Sequence, residues 1–195
     1  MRTYTKDNKT YVSVTEIIGM MYPFDEKGFA SWARWKGLNS DWISAESRRI
    51  GTKVHQWVEN RFHGIESWAD NSPIDEKESN YLKAVQVFLG SVDITDCEQT
   101  VYNDEFGYAG TYDLIADGTL YDVKTWGSWK GEYKYSADKM KKVAIQSDMY
   151  REAHGGGLKT AVCILLPEGD FIVEELKPND SWKKWIEENK NKLLV

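Results

Sequence analysis

GTYDLIADGTLYDVKTW, residues 110–126, carries the signal from which the fold can be read. Its centre, Asp117-Gly118, is a preferred dipeptide for a two-residue type I′ hairpin, and its flanks are rich in β-branched and aromatic residues. A two-residue loop sets a register in which Ala116 faces Thr119, Ile115 faces Leu120, Leu114 faces Tyr121, Asp113 opposes Asp122 and Thr111 opposes Lys124. Directly opposed residues share a sheet face, as do alternate residues of one strand. Asp113, Asp122 and Lys124 are therefore expected on one side.

Opposed side chains have Cβ atoms roughly 4.5–5.5 Å apart, so two carboxylates held there on a half-buried sheet repel. A hard dication such as Mg²⁺ relieves the repulsion: it takes carboxylate oxygens, keeps several waters and leaves positions for phosphate oxygens. Lys124 cannot be a ligand while protonated. It suits orienting or deprotonating an attacking water and stabilising the charge that builds on a phosphate. A surface ion-pair ladder would use the same residue types. Leu114, Ile115, Leu120 and Val123 make both strands apolar, however, and charges are seldom placed there without a task. The triad fits phosphodiester hydrolysis.

Upstream, the chain reads mainly as helices. YVSV, residues 11–14, suggests a short strand or arm leading to a helix start at Thr15. KGFASWARWK, residues 27–36, spaces Phe29, Trp32 and Ala33 as a helix does. A longer helix is expected from Ala45 to Gly64 with Ile50, Val54, Trp57, Val58 and Phe62 as its apolar stripe, then a polar connection, then another helix over 76–91. After Cys97 the segments EQTVYND, YAGTYDLIAD and TLYDVKTW read as strands. A helix from Ala137 to Ala153 stops at the glycine run 155–157. LKTAVCILL and FIVEEL follow as strands joined at Pro167 to Asp170, and SWKKWIEENKNKLL closes the chain as an amphipathic helix. This order implies an α/β or α+β fold around one central mixed β-sheet flanked by helices. A single domain is expected over 1–195, mainly helical over 1–92, with the catalytic sheet core over 97–195.

Hydrophobic residues make up 41% of the chain, and nine Trp, eleven Tyr and six Phe can fill a core without disulfides. Cys97 and Cys163 stand alone, so neither a disulfide framework nor a structural zinc site is indicated. No stretch approaches the ~20 apolar residues of a membrane span, and the N-terminus lacks an apolar signal core. A soluble cytoplasmic protein is expected, with no membrane partner. The net charge of −6 counts against nucleic acid, whose binding normally rests on Lys and Arg. A nuclease nevertheless needs acidic residues where metals sit, and local basic patches can bind while total charge stays negative. Residues 130–151 are such a segment, with Lys130, Lys134, Lys139, Lys141, Lys142 and Arg151 against Glu132, Asp138 and Asp148.

Further candidates lie on the helices. His55 and Glu59 share a face beside the apolar stripe. His55 is a candidate metal ligand, whereas Glu59 reads better as a surface residue. Gln146 and Tyr150 share a helical face with Lys142 and Arg151 on or near it, a set suited to DNA backbone and a stacked base. The helical spacing of Trp32, Trp35, Trp57, Trp182 and Trp185 suggests core more than an exposed platform.

Four blocks therefore occur in order: GTKVH (51–55) on a helix, GTYD (110–113) on one strand, DVK (122–124) on the next and QSDMY (146–150) on the following helix. In these blocks the chain resembles the PD-(D/E)XK nuclease superfamily, specifically its RecB-type and phage-type recombination exonuclease branch, from about Ser13 to Leu166. The resemblance implies a restriction-endonuclease-like core in which His55, Asp113 and Asp122 bind metal, the Val123 carbonyl adds a ligand, and Lys124 serves catalysis. Gln146 and Tyr150 would line the DNA channel. It implies one or two Mg²⁺ or Mn²⁺ ions and no iron–sulfur cluster, since the four cysteines of some relatives are missing. SVTEI and the Trp-bearing helices after it are similar to segments that help build the entrance for a DNA end in phage-type members. The expectation is a DNA exonuclease acting on linear, end-bearing DNA in recombination, replication or repair. It would be phage-encoded and act in the host cell, with a single-strand annealing protein as partner and a homo-oligomer left open. A structure-specific or nicking endonuclease and a non-catalytic single-strand-binding module are the alternatives.

Overall fold

The computed structural model describes residues 1–65, 75–126 and 136–193, leaving aside the side chain of Leu38. The expected polar connection over 66–74 lies outside these residues, as do Lys130, Glu132 and Lys134. The chain opens with a hairpin, β1 (Thr3–Lys6) and β2 (Lys9–Ser13), turned at Asp7 and Asn8 with φ of 49° and 60°. Asp and Asn tolerate this left-handed region better than other side chains. With no glycine to mark the turn, the sequence suggests a single strand or arm here instead of two paired strands. Ser13 then caps α1 (Val14–Met21), accepting from the Thr15 amide at 3.3 Å.

Helices α2 (Glu26–Lys36), α3 (Ser40–Phe62) and α4 (Glu76–Gly90) follow. α3 buries the expected stripe of Ile50, Val54, Trp57 and Val58 but starts at Ser40, before the expected Ala45. α2 buries none of its residues, and Trp35 is exposed, contrary to the core placement expected for it; Trp57 and Trp182 are fully buried. The second half comprises β3 (Ile94–Cys97), β4 (Thr100–Asn103), β5 (Tyr108–Thr111), β6 (Leu114–Ala116) and β7 (Thr119–Thr125). It continues with α5 (Ala137–Ala153), β8 (Lys159–Leu165), β9 (Phe171–Glu175) and α6 (Ser181–Glu188).

The central sheet has the order β3-β6-β7-β8-β9, with β7 and β8 parallel and the other neighbours antiparallel. A parallel pair needs a long crossover, and α5 lies in this one. Along β7 the side chains alternate. Tyr121 and Val123 pack with Val54 and Trp57 of α3 and Phe88 of α4, whereas Leu120 packs with Ile145 and Met149 of α5. The sheet is thus covered on both faces, which is why β8 is apolar at almost every position.

A second sheet, β1-β2-β5-β4, was not expected. YAGTYDLIAD, read as one strand, is two strands that belong to different sheets. At the break the Tyr112 amide donates to the Gln99 carbonyl at 3.2 Å, and the Glu98 amide donates to the Asp113 carbonyl at 3.1 Å. The Tyr112 hydroxyl donates to Asp96 Oδ2 at 2.7 Å. The two backbone bonds carry the antiparallel pairing of 94–103 with 108–116 across the break, so Thr111 stays with Thr100 and does not pair with Lys124.

α5 is tied to α6 by the buried Asp148, which accepts from Arg151 Nη2 at 2.6 Å and from Trp182 Nε1 at 2.9 Å. Asp148→Ala leaves both donors without their acceptor. It is expected to lower stability by about 3 kcal/mol, the scale for breaking a buried pair, measured by urea denaturation.

Candidate functional site

The hairpin forms in the expected register, 114 to 121 through 116 to 119, and Asp117 and Gly118 both take positive φ, 50° and 70°. Asp113 lies just beyond the last pair, where the chain leaves the central sheet. It therefore does not oppose Asp122 within a ladder, as the sequence implies; its side chain stands in for the missing strand. Asp113 Oδ2 accepts from the Val123 amide at 2.7 Å, a donor that a continued β6 would otherwise have served.

On β7, Asp122 is 2% exposed, and its Oδ1 accepts from Lys124 Nζ at 2.7 Å. Its Oδ2 is buried and has no hydrogen-bond partner among the described residues. Burial pushes the Asp122 carboxyl up to about 6; Lys124 pulls it down, and the Asp113 charge adds to the rise. For Lys124 burial opposes the charge, but Asp122 and Asp113 outweigh it and raise the pKa above the usual value. Lys124 therefore holds its proton, which suits stabilising negative charge and not deprotonating a water. Val123 turns its own side chain into the α3/α4 core, so only its backbone can serve the site.

α3 brings His55 to the same place. His55 Nδ1 lies 3.1 Å from Glu98 Oε1 and 3.6 Å from Asp113 Oδ1, and one ligand atom from each of the three residues lies within 4.8 Å of the others. Burial works against the charged imidazole, but the hydrogen bond to Glu98 and the Asp113 charge raise its pKa. Glu98 went unread in the sequence. It sits in the link between β3 and β4 and takes φ of 50°, a costly conformation for a residue with a Cβ, of the kind retained at working sites. Its only sequence signal is an acidic residue at a strand junction. Glu59 is exposed, as expected.

The QSDMY block covers the opposite side. Gln146 Nε2 donates to Tyr150 Oη at 3.1 Å, and Tyr150 is buried against Gly110. A Cβ at Gly110 would lie 2.6 Å from Tyr150 Cε1. This explains the glycine of GTYD, whereas a Cβ at Gly51 would meet only Thr125 Oγ1 at 3.9 Å. Lys141 and Lys142 lie 5.3 and 5.7 Å from the Tyr22 ring centroid, and Lys139 lies 6.0 Å from that of Trp126. Arg151 departs from its expected place: held by Asp148, it sits roughly across the helix from Gln146 and Tyr150 and faces α6.

The donor set fits a hard divalent cation. Carboxylate oxygens and one imidazole converge there, and among the described residues the buried Asp122 Oδ2 has no hydrogen-bond partner.

No protein-family model and no curated protein sequence matches the chain. Among solved structures it is similar to a "Putative exonuclease" from Eubacterium rectale, with 12% identity and a TM-score of 0.54 over 93% of this chain and 79% of that one. It also matches an alkaline exonuclease (LHK-Exo) from Laribacter hongkongensis, with 12% identity and a TM-score of 0.46 over 93% of this chain and 84% of that one. The first likeness shows a shared fold, a mixed α/β fold of the restriction-endonuclease-like kind.

Three outcomes are expected. Mn²⁺ should raise the melting temperature at neutral pH, and the rise should fade as pH falls through about 6, where a proton competes for Asp122. With chelator the sign reverses for this group: its raised pKa means the native protein takes the proton more readily than the unfolded chain, so acidification toward the unfolded value relieves its penalty. Differential scanning fluorimetry with and without Mn²⁺ across pH checks both. Gly110→Ala should cost about 1–3 kcal/mol by crowding Tyr150, while Gly51→Ala should cost less, compared by urea denaturation.

Proposed function

We propose that the chain is a divalent-metal-dependent deoxyribonuclease that hydrolyses phosphodiester bonds of linear DNA from an end. The observation that carries the reading is the buried Asp122 carboxylate beside Asp113, with one oxygen on Lys124 and the other without a hydrogen-bond partner among the described residues. Such an arrangement is unfavourable for an empty protein and favourable for one that binds a cation there. The likeness to the Eubacterium rectale protein supports an exonuclease over other reactions on this fold.

Asp113, Asp122, His55 and the Val123 carbonyl would hold Mg²⁺ or Mn²⁺, as one or two ions, with Glu98 beside them on the same His55 nitrogen that faces Asp113. When bound, the ion lowers the pKa of a water and offsets charge on the scissile phosphate. Lys124 keeps its ammonium 2.7 Å from Asp122 and directs it toward charge developing on the phosphate. Gln146 and Tyr150 border the site, and Lys142 supplies a backbone contact; Arg151, engaged by Asp148, is left out of this surface. Recombination, replication or repair is the proposed setting, in the cytoplasm of a phage-infected cell with an annealing protein as partner. Among the described residues no helix is long and apolar enough to cross a membrane.

End-labelled linear and closed circular DNA, incubated with Mg²⁺, Mn²⁺ or chelator, test the reading. Metal-dependent loss of linear DNA alone is expected, with Lys124→Ala slowing it on the order of 10²- to 10³-fold. Cutting of closed circles would instead indicate an endonuclease, and no cleavage under any metal would overturn the proposal.

A further inference from the structure

The smaller sheet presents a face that the proposed chemistry does not use. Tyr4 of β1 is paired directly with Tyr11 of β2, and Lys6 with Lys9, so these four share one face. Tyr11 packs edge-on against Tyr102 of β4 with ring centroids 5.0 Å apart. Cations stand over all three rings: Arg2 lies 5.4 Å from Tyr4, Lys6 lies 5.0 Å from Tyr102, and Lys9 lies 5.0 Å from Tyr11. Asp104 accepts from Lys9 at 2.9 Å and also feels the Lys6 charge, so one carboxylate faces two exposed lysines, and the exposed Arg2 adds a third cation to this face. Residues 1–12 hold three cations against one carboxylate, Asp7, in a chain whose net charge is −6.

This face is continuous with the site. Tyr102 is two residues from Thr100, which pairs with Thr111 and whose hydroxyl lies 3.0 Å from that of Thr111. Thr100 is two residues from Glu98, and Thr111 is two from Asp113. At roughly 3.3 Å per residue, Tyr102 lies about 13 Å along the strand from Glu98. That distance spans a few nucleotides of an extended strand.

We infer that the Arg2–Tyr4–Lys6–Tyr102 face binds single-stranded DNA and guides it to or from the His55–Asp113 site. The inference rests on the nuclease reading for its direction, though not for the binding itself. A single strand is the fitting occupant because its bases are free to stack on rings while its phosphates meet the cations above them. A duplex hides its base faces. Strand-separated DNA also has the negative charge that this end of an otherwise acidic chain complements.

The test uses the full chain with chelator present, so that no cleavage intrudes, and a fluorescein-labelled twelve-nucleotide oligothymidylate as probe. Arg2→Gln/Lys6→Gln should weaken binding about tenfold and flatten the plot of log affinity against log salt by about 1.4, at ~0.7 per lost phosphate contact. Tyr102→Leu should weaken binding severalfold with the salt slope unchanged, a signature that loss of charge cannot mimic. Arg2 and Lys6 are exposed and Tyr102 is half-buried, and melting curves verify folding. Unaltered oligothymidylate affinity in the folded double variant would overturn the inference, as would an equal loss of affinity for a blunt duplex of the same length. Hydrolysis of bis(p-nitrophenyl) phosphate by the unsubstituted protein with Mn²⁺ separates the two claims. Hydrolysis with unchanged oligonucleotide binding in the variants sinks this inference alone; the expected binding losses without hydrolysis sink the nuclease reading alone.

Discussion

The bond from the Val123 amide to Asp113 Oδ2, 2.7 Å long, is the constraint around which the molecule is arranged. β7 is a central strand and cannot leave an interior amide without an acceptor. β6 supplies pairing only as far as Leu114, and from there a carboxylate takes over. The edge of β7 is thereby satisfied without being covered. In the gap His55, which comes from the helix layer on one face, meets Asp122 and Lys124, which project toward the other.

Holding that gap open costs energy that the rest of the fold must offset. Three carboxylates, Glu98, Asp113 and Asp122, gather near one lysine; Asp122 is buried with an orphan oxygen, and Glu98 takes a left-handed backbone. Like charges and strained backbone of this sort persist only where the surroundings over-determine them. Here the surroundings are the apolar layers on the two faces of the sheet. They are pinned by buried carboxylates: Glu78 of α4 pairs with Arg49 and Lys53 of α3, and Asp148 of α5 pairs with Arg151 and accepts a hydrogen bond from the Trp182 indole of α6.

Charge is distributed in the same spirit. A net charge of −6 is at odds with DNA only if the charge is spread evenly. Acidic groups concentrate at the gap, where a cation would neutralise them. Lysines gather on α5 beside Tyr22 and Trp126, and others stand over the rings of the smaller sheet.

Local chemistry made much of this legible in one dimension. Asp117-Gly118 selects its turn through the φ values that its residues tolerate, the apolar stripe of α3 follows helical period, and the DVK block follows from strand alternation. Those are short-range effects, and the hairpin register came out as written. Tertiary structure alone decided that Gly110 must be small, because the ring that needs the space comes from Tyr150 forty residues later. It also turned Arg151 toward Asp148, left Trp35 outside the core, and brought Glu98 to His55 across forty-three positions. Most of all, it parted one apparent strand between two sheets at Tyr112. Backbone propensity is alike on either side of that residue, and what differs is the second partner strand, β2 for β5 and β7 for β6, which no local signal names.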